Sequence, residues 1–170
     1  MPVPYTSDEA KTWELALAMY ANSATWQALL GVATVALAKA RIVEWDGGLD
    51  YTEGEAVVNC LGDPIVAVAP LLALTSIDFP TEQRALDSER RSGEFTARFY
   101  LPKTVTDTAP EHGRRALNTA GLIRAEVRDQ QGVSGRLMRC EVSLRGPFLP
   151  ADLSQWSSSV IVEHLLTWRG

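Results

Sequence analysis

Gly93-Glu94-Phe95-Thr96-Ala97-Arg98-Phe99-Tyr100-Leu101-Pro102 is the stretch whose reading decides the fold. Side chains on a strand alternate between two faces. Phe95, Ala97, Phe99 and Leu101 therefore share one face, and Thr96, Arg98 and Tyr100 the other. Aromatic, β-branched and long residues suit a pleated, half-buried surface. Gly93 is expected to open the strand, and Pro102 to close it, because proline has no N–H for a ladder. The stretch predicts a central strand of one sheet, with the rest of the chain placed against it.

Toward the N-terminus, Ile65 to Ala69 is continuously apolar, as in a strand covered on both faces. Asp63-Pro64 starts this extended segment, Pro70 predicts a bulge or bend, and Leu71 to Ile77 continues as strand. From Pro80 to Ser92 the chain turns charged, with Glu82, Arg84, Asp87, Glu89, Arg90 and Arg91. It reads as a long connection between two strands, mobile in the isolated subunit and ordered at a contact, or as a short surface helix.

Toward the C-terminus, Ala116, Ala120, Ile123 and Val127 recur at helical spacing and predict a helix from about Glu111 to Arg128. Gly113 and Gly121 lie inside it, each costing about 1 kcal/mol relative to alanine; Gly121 is a candidate for close backbone approach. After a loop over 129–135, Met138, Cys140, Val142 and Leu144 alternate with Arg139, Glu141, Ser143 and Arg145 in a strand ended by Gly146-Pro147. A last strand starts near Ser157. Val160, Val162, His164, Leu166 and Trp168 share one of its faces; Ile161, Glu163, Leu165 and Thr167 share the other. With apolar residues on both sides, either helices or a neighbouring subunit must cover the second face.

The front of the chain reads as helical. Thr6-Ser7-Asp8-Glu9 has the capping-box form, followed by a helix to Ala21. Ser23 caps a short helix that stops at Gly31, Val32 to Ala40 is alanine-rich and helical, and Arg41 to Trp45 is a short strand ended by the turn Asp46-Gly47-Gly48. Glu53-Gly54-Glu55 is a loop, and Ala56 to Cys60 is apolar without a decisive period. The fold class is α+β: a single mostly antiparallel or mixed β-sheet with helices packed against it and an N-terminal helical segment. One domain spans 1–170, with a helical part and extra loop over 1–62, then the sheet and one main helix over 63–170.

A chain of 170 residues with 46% hydrophobic content can bury a real core. A net charge of −5 argues against a module that grips nucleic acid through a basic face. Cys60 and Cys140 are too few for a disulfide framework and read as buried free thiols. Met1-Pro2-Val3-Pro4 carries no signal-peptide pattern, and the longest apolar run, Ile65 to Leu74, is about half a membrane span. These features predict a protein made in a reducing cytoplasm, with no membrane partner.

Motifs for chemistry are missing. His112 and His164 have no ligand-spaced companions for zinc, so no metal site is expected. His164 reads as a strand residue satisfied by a hydrogen bond, or as partly exposed. Gly132-Val133-Ser134-Gly135 lacks nucleophile-elbow spacing, and Gly47-Gly48 lacks the Lys-Ser or Lys-Thr of a phosphate loop. No catalytic residue and no cofactor is therefore assigned. Arg84, Arg90, Arg91, Arg98, Arg114 and Arg115 form either a solvated face or a subunit interface.

The order of elements resembles a family. A proline-led apolar segment from Pro64 to Ile77, a charged connection, and the stretch Glu94 to Val105 with Phe-Tyr-Leu-Pro at its centre, followed by a helix, resemble lambda-like phage tail terminator proteins, whose strand there ends in Leu-Pro. Trp156-Ser157-Ser158-Ser159, leading into an alternating strand that ends in an aromatic, resembles the family's last strand. The likeness covers roughly residues 64–170; residues 23–62 exceed what short members carry.

The resemblance implies a non-enzymatic virion protein at the head–tail junction, assembled in the host cytoplasm. Its subunits close into a homohexameric ring that caps the tail tube and meets a head–tail connector or head-closure protein. DNA passes through the lumen without specific binding. Glu82, Arg84, Asp87, Glu89, Arg90 and Arg91 are the expected subunit or partner interface. The alternatives are another head-closure or tail-completion adaptor, or a small-molecule-binding or enzymatic α+β domain.

Overall fold

A computed structural model describes residues 4, 7–45, 51–78, 81–85, 88–130, 139–148 and 158–169. The helices are α1 (Asp8–Ala21), α2 (Ala24–Leu30), α3 (Val35–Lys39) and α4 (Ala109–Asp129). The strands are β1 (Ile42–Trp45), β2 (Ala56–Val58), β3 (Pro64–Val66), β4 (Leu71–Asp78), β5 (Thr81–Ala85), β6 (Ser88–Pro102), β7 (Arg139–Phe148) and β8 (Ser159–Arg169). The main sheet runs β1-β4-β6-β8-β7, with β5 pairing the start of β6. It is mixed: β1 lies parallel to β4, and the other pairs are antiparallel. The fold class is α+β, as expected. A separate two-stranded sheet, β2 with β3, accompanies the main one.

β6 is the central strand, flanked along 92–102 by β8 and along 94–100 by β4. Phe95, Ala97, Phe99 and Leu101 are buried on one face beneath the helices, with Leu72 and Leu74 of β4 and Val160, Val162, Leu166 and Trp168 of β8. Ala16 and Tyr20 of α1, Trp26 of α2, Ala38 of α3, and Ala116, Ala120, Ile123 and Val127 of α4 close that core from above. Edge-on ring contacts join Phe99 to Tyr20, Trp26 and His164.

The helix ends follow local chemistry. Ser7, not Thr6, is the N-cap of α1; its hydroxyl accepts from the Ala10 N–H. Thr6 itself lies outside the described residues. Ser23 caps α2, and Gly31 ends it in the left-handed region at φ 68°. Thr108 and Glu111 form a capping box that starts α4 two residues earlier than the apolar periodicity suggested.

Four expectations are corrected. The 80–92 stretch is not an irregular connection: β5 and the first part of β6 form a β-hairpin. Gly93 therefore sits inside β6, buried, rather than opening it. Charged residues hid this hairpin, because its register rests on backbone pairing and not on apolar alternation. The apolar run from Ile65 does not enter the main sheet; it stops at Val66, and the chain bends through the cis Ala69-Pro70 bond before β4 begins. Gly146-Pro147 does not end β7 but lies in a register shift between Arg145 and Phe148. The short strand expected over Arg41–Trp45 is present as β1, and the apolar piece from Ala56 forms β2. The Asp46-Gly47-Gly48 turn and the loop beyond Gln130 lie outside the described residues.

Among the described residues, the second face of the sheet is covered by a hairpin and not by helices. The β2–β3 hairpin lies on it, burying Val57 and Ala67 against Val43, Leu71, Ala73, Tyr100 and Ile161. Arg41 ties the hairpin down: its guanidinium donates to the carbonyls of Pro70 (3.1 Å), Val66 (3.2 Å) and Val68. Burial lowers the Arg41 pKa. Asn59 holds the hairpin turn. Its Nδ2 donates to Ala40 O at 3.1 Å, and its Oδ1 accepts from the Leu61 and Asp63 N–H groups at 2.9 Å each.

Candidate interface surfaces

The residues expected at an interface are divided by the fold. Glu82, Arg84, Glu89, Arg90 and Arg91 belong to the β5–β6 hairpin, where Glu82 is the register partner of Arg90 and Glu89 that of Gln83. Asp87 lies outside the described residues. This hairpin runs past the main sheet, because β8 joins β6 only from Ser92 and β4 from Glu94. The register thus places two of the expected charged positions opposite one another along the arm.

Arg98 is elsewhere and is engaged internally. Its Nε donates to Glu163 Oε1 at 2.8 Å across the β6–β8 pair, with only 18% and 10% of the two side chains exposed. Burial pulls the Arg98 pKa down, but the Tyr100 hydroxyl and Glu163 outweigh it and hold it above the ordinary value. Arg115 pairs with Asp107, and Arg114 is exposed on α4. Of the six arginines, Arg98 therefore leaves the interface reading and joins the packing of the second face.

Two surfaces were missed in the sequence. In the β2–β3 pair, Ala56 faces Val66 and Val58 faces Pro64. Residues facing one another in an antiparallel pair point to the same side. Their side is turned outward: Val58 is 59% exposed and Val66 50%. Val68 follows, exposed as well. The hairpin is thus apolar on both faces, one packed on the sheet and one bare, with Glu55 and Asp63 exposed at its rim. Alternation in 56–58 and 64–68 is absent for that reason, and its absence was the available signal.

The outward side of α4 is the second surface. Leu117 and Leu122 are exposed there, as are Arg114, Arg124 and Arg128. Gly121 and Ala125 lie between them on the helix, opposite the buried Ala116, Ala120, Ile123 and Val127. A Cβ added at Gly121 would meet nothing within 4 Å. The close approach suspected at this glycine is therefore not made within the described chain.

Two polar nodes are structural. His164 is fully buried; its Nε2 lies 2.8 Å from Ala120 O and its Nδ1 3.2 Å from the Tyr20 hydroxyl. A carbonyl only accepts, so Nε2 carries the proton and Nδ1 accepts from Tyr20. Burial, more than Arg124, pushes its pKa down to about 4 against the pull of the Ala120 bond. Glu126 of α4 sits at the N-terminus of α2 and accepts from the Ser23 and Thr25 hydroxyls and the Thr25 N–H. Burial raises its pKa, but these hydrogen bonds outweigh that and leave it below the ordinary value.

A groove of about 660 Å³ runs along α1, lined by Trp13, Glu14, Leu17, Lys39, Glu44 and Cys60. Two of its polar pairs are formed: the Trp13 indole donates to Glu44 Oε1 at 2.6 Å, and the Cys60 thiol donates to Lys39 O at 3.3 Å. Cys60 is a free thiol, and burial followed by the Glu44 charge raises its pKa, which suppresses the nucleophilic thiolate. Among the described residues, no group of three or more His, Cys, Asp or Glu is placed to hold a metal, and no helix is long and apolar enough to cross a membrane. No protein-family model and no curated protein matches this chain.

Proposed function

We propose that this protein is a structural subunit of a phage virion, a tail terminator whose ring caps the tail tube and joins it to the head connector. The observation that carries the reading is the order of elements: a central strand closing in Leu101-Pro102, the main helix after it, and a last strand paired beside that central strand. The likeness to the terminator family lies in the same elements. The charged β5–β6 arm and the two uncovered apolar surfaces support an assembling subunit. In this reading tube protein and connector are the partners, and an acidic chain of net charge −5 lines a lumen that DNA crosses without being held.

The test is removal of the gene from its phage genome, with particles viewed by negative-stain electron microscopy. The expected result is overlong or unattached tails, with purified protein restoring a ring at the tube's head-proximal end. Tails of normal length joined normally to heads would end the reading. Normal-length tails left unattached would favour a different head-closure or tail-completion adaptor. The α1 groove favours a small-molecule binder as second reading, since its volume is within the usual range for ligand sites. A thermal shift produced by a metabolite panel and abolished by Trp13→Ala would support that reading.

A further inference from the structure

We infer that the bare face of the β2–β3 hairpin in one copy seats on the Gly121–Ala125 stripe of α4 in the next copy. This deepens the assembling-subunit reading by naming its two contact patches, and it rests on that reading for the identity of the partner.

The two surfaces lie on opposite layers of the molecule. The hairpin packs on the second face of the sheet, and α4 packs on the first. A contact between them cannot be made within one chain. Repeated from copy to copy it is head-to-tail, the arrangement that closes into a ring when the rotation allows.

Three observations make the patches complementary. The hairpin offers an apolar face of Val58, Pro64, Val66 and Val68 that is exposed among the described residues. Helix α4 offers small residues at 121 and 125 flanked by exposed Leu117 and Leu122, a seat for such a face. Gly121 weakens its own helix without making room for any neighbour among the described residues, so the open space above it is offered to another chain. Charge agrees with shape. The hairpin rim carries exposed Glu55 and Asp63, and the helix rim carries exposed Arg114 and Arg124. Opposite rims steer encounter and fix register. Glu55 also accepts from the Thr52 N–H at 2.6 Å, and Arg128, beside the stripe, pairs with Asp129.

Sedimentation velocity over a concentration series tests the contact. Wild type should associate, whereas Val58→Glu/Val66→Glu and Gly121→Leu should each weaken association at least tenfold while keeping a cooperative unfolding transition. An equimolar mixture of the two variants should form 1:1 dimers and nothing larger, because each retains one intact patch. A mixture that stays monomeric, or variants that assemble like wild type, would overturn the proposal, as would a wild type that never associates. Should the hairpin variant fail to fold, the surface reversal Glu55→Lys/Asp63→Lys serves instead. It should weaken association at low salt and regain it when mixed with Arg114→Glu/Arg124→Glu; no regain overturns the proposal. Rings with these properties that ignore tail tubes would sink the terminator reading alone. Tube-capping rings indifferent to both sets of substitutions would sink this inference alone.

Discussion

At the scale of single residues, His164 links stability to pH. Its pKa falls from 6.5 to about 4 on folding, so the unfolded chain binds the proton more readily. Stability is therefore complete above pH 6.5 and is lost as pH falls from there to about 4, by about 3 kcal/mol. His164→Leu removes the bonds to Tyr20 and Ala120 and is expected to cost about 1–3 kcal/mol at pH 7. Denaturant titrations should show the gap to wild type narrowing between pH 6.5 and 4; a constant gap would contradict the buried neutral imidazole. Arg98 and Glu163 behave differently. Arg98→Met strands a mostly buried carboxylate and should cost about 3 kcal/mol, while adding Glu163→Leu should restore much of the loss. Equal stability of the single and double variants would show that the pair is solvated.

At the scale of elements, helix α4 carries a glycine that makes room for no neighbour among the described residues. Gly121→Ala meets no neighbour and should stabilise the isolated chain by up to about 1 kcal/mol, read as a raised midpoint in thermal unfolding. A lowered midpoint would mean that the glycine serves the helix itself. Arg41 anchors the β2–β3 hairpin segment through the carbonyls of Val66 and Val68, and through Pro70 just beyond it. Arg41→Met should make residues 51–69 the first site of limited proteolysis while near-ultraviolet circular dichroism of the aromatic core persists. Simultaneous loss of both would mean that hairpin and sheet unfold as one unit.

At the scale of the whole molecule, the sheet separates its two cysteines. The Cys60 N–H donates to Ile42 O beside β1, whereas Cys140 lies on β7 at the other edge of the strand order. Four strand spacings separate those edges, roughly 19 Å, far beyond the Cα separation a disulfide tolerates. Non-reducing mass spectrometry should find no Cys60–Cys140 bridge, and one found without added oxidant would contradict the strand order. Assembly adds a salt dependence. Reversing charge at Arg90 and Arg91 together should leave the proposed ring contact intact and weaken its proposed docking to tube or connector, most at low ionic strength, where exposed charges are least screened. An effect independent of salt would assign the β5–β6 arm a structural role instead.

Local signals determined much of this protein. Alternation in 93–102 and 160–168 set the inward faces of β6 and β8, and helical spacing set the buried face of α4, because these segments pack one side on a single core. Ser23 and Gly31 marked the ends of α2 through cap chemistry that needs no distant partner. Only tertiary structure decided the rest. The strand Ser88–Arg91 is written in charged residues, and only pairing with β5 makes it a strand. The run Ile65–Ala69 looks like a core strand, yet it pairs with β2 and packs over the second face of the sheet instead of joining it. His164 gains its bonds from residues 44 and 144 positions away. The bare hairpin face and the open space at Gly121 are properties of surface. Sequence reports which residues are apolar, but only the packed chain shows which of them remain uncovered.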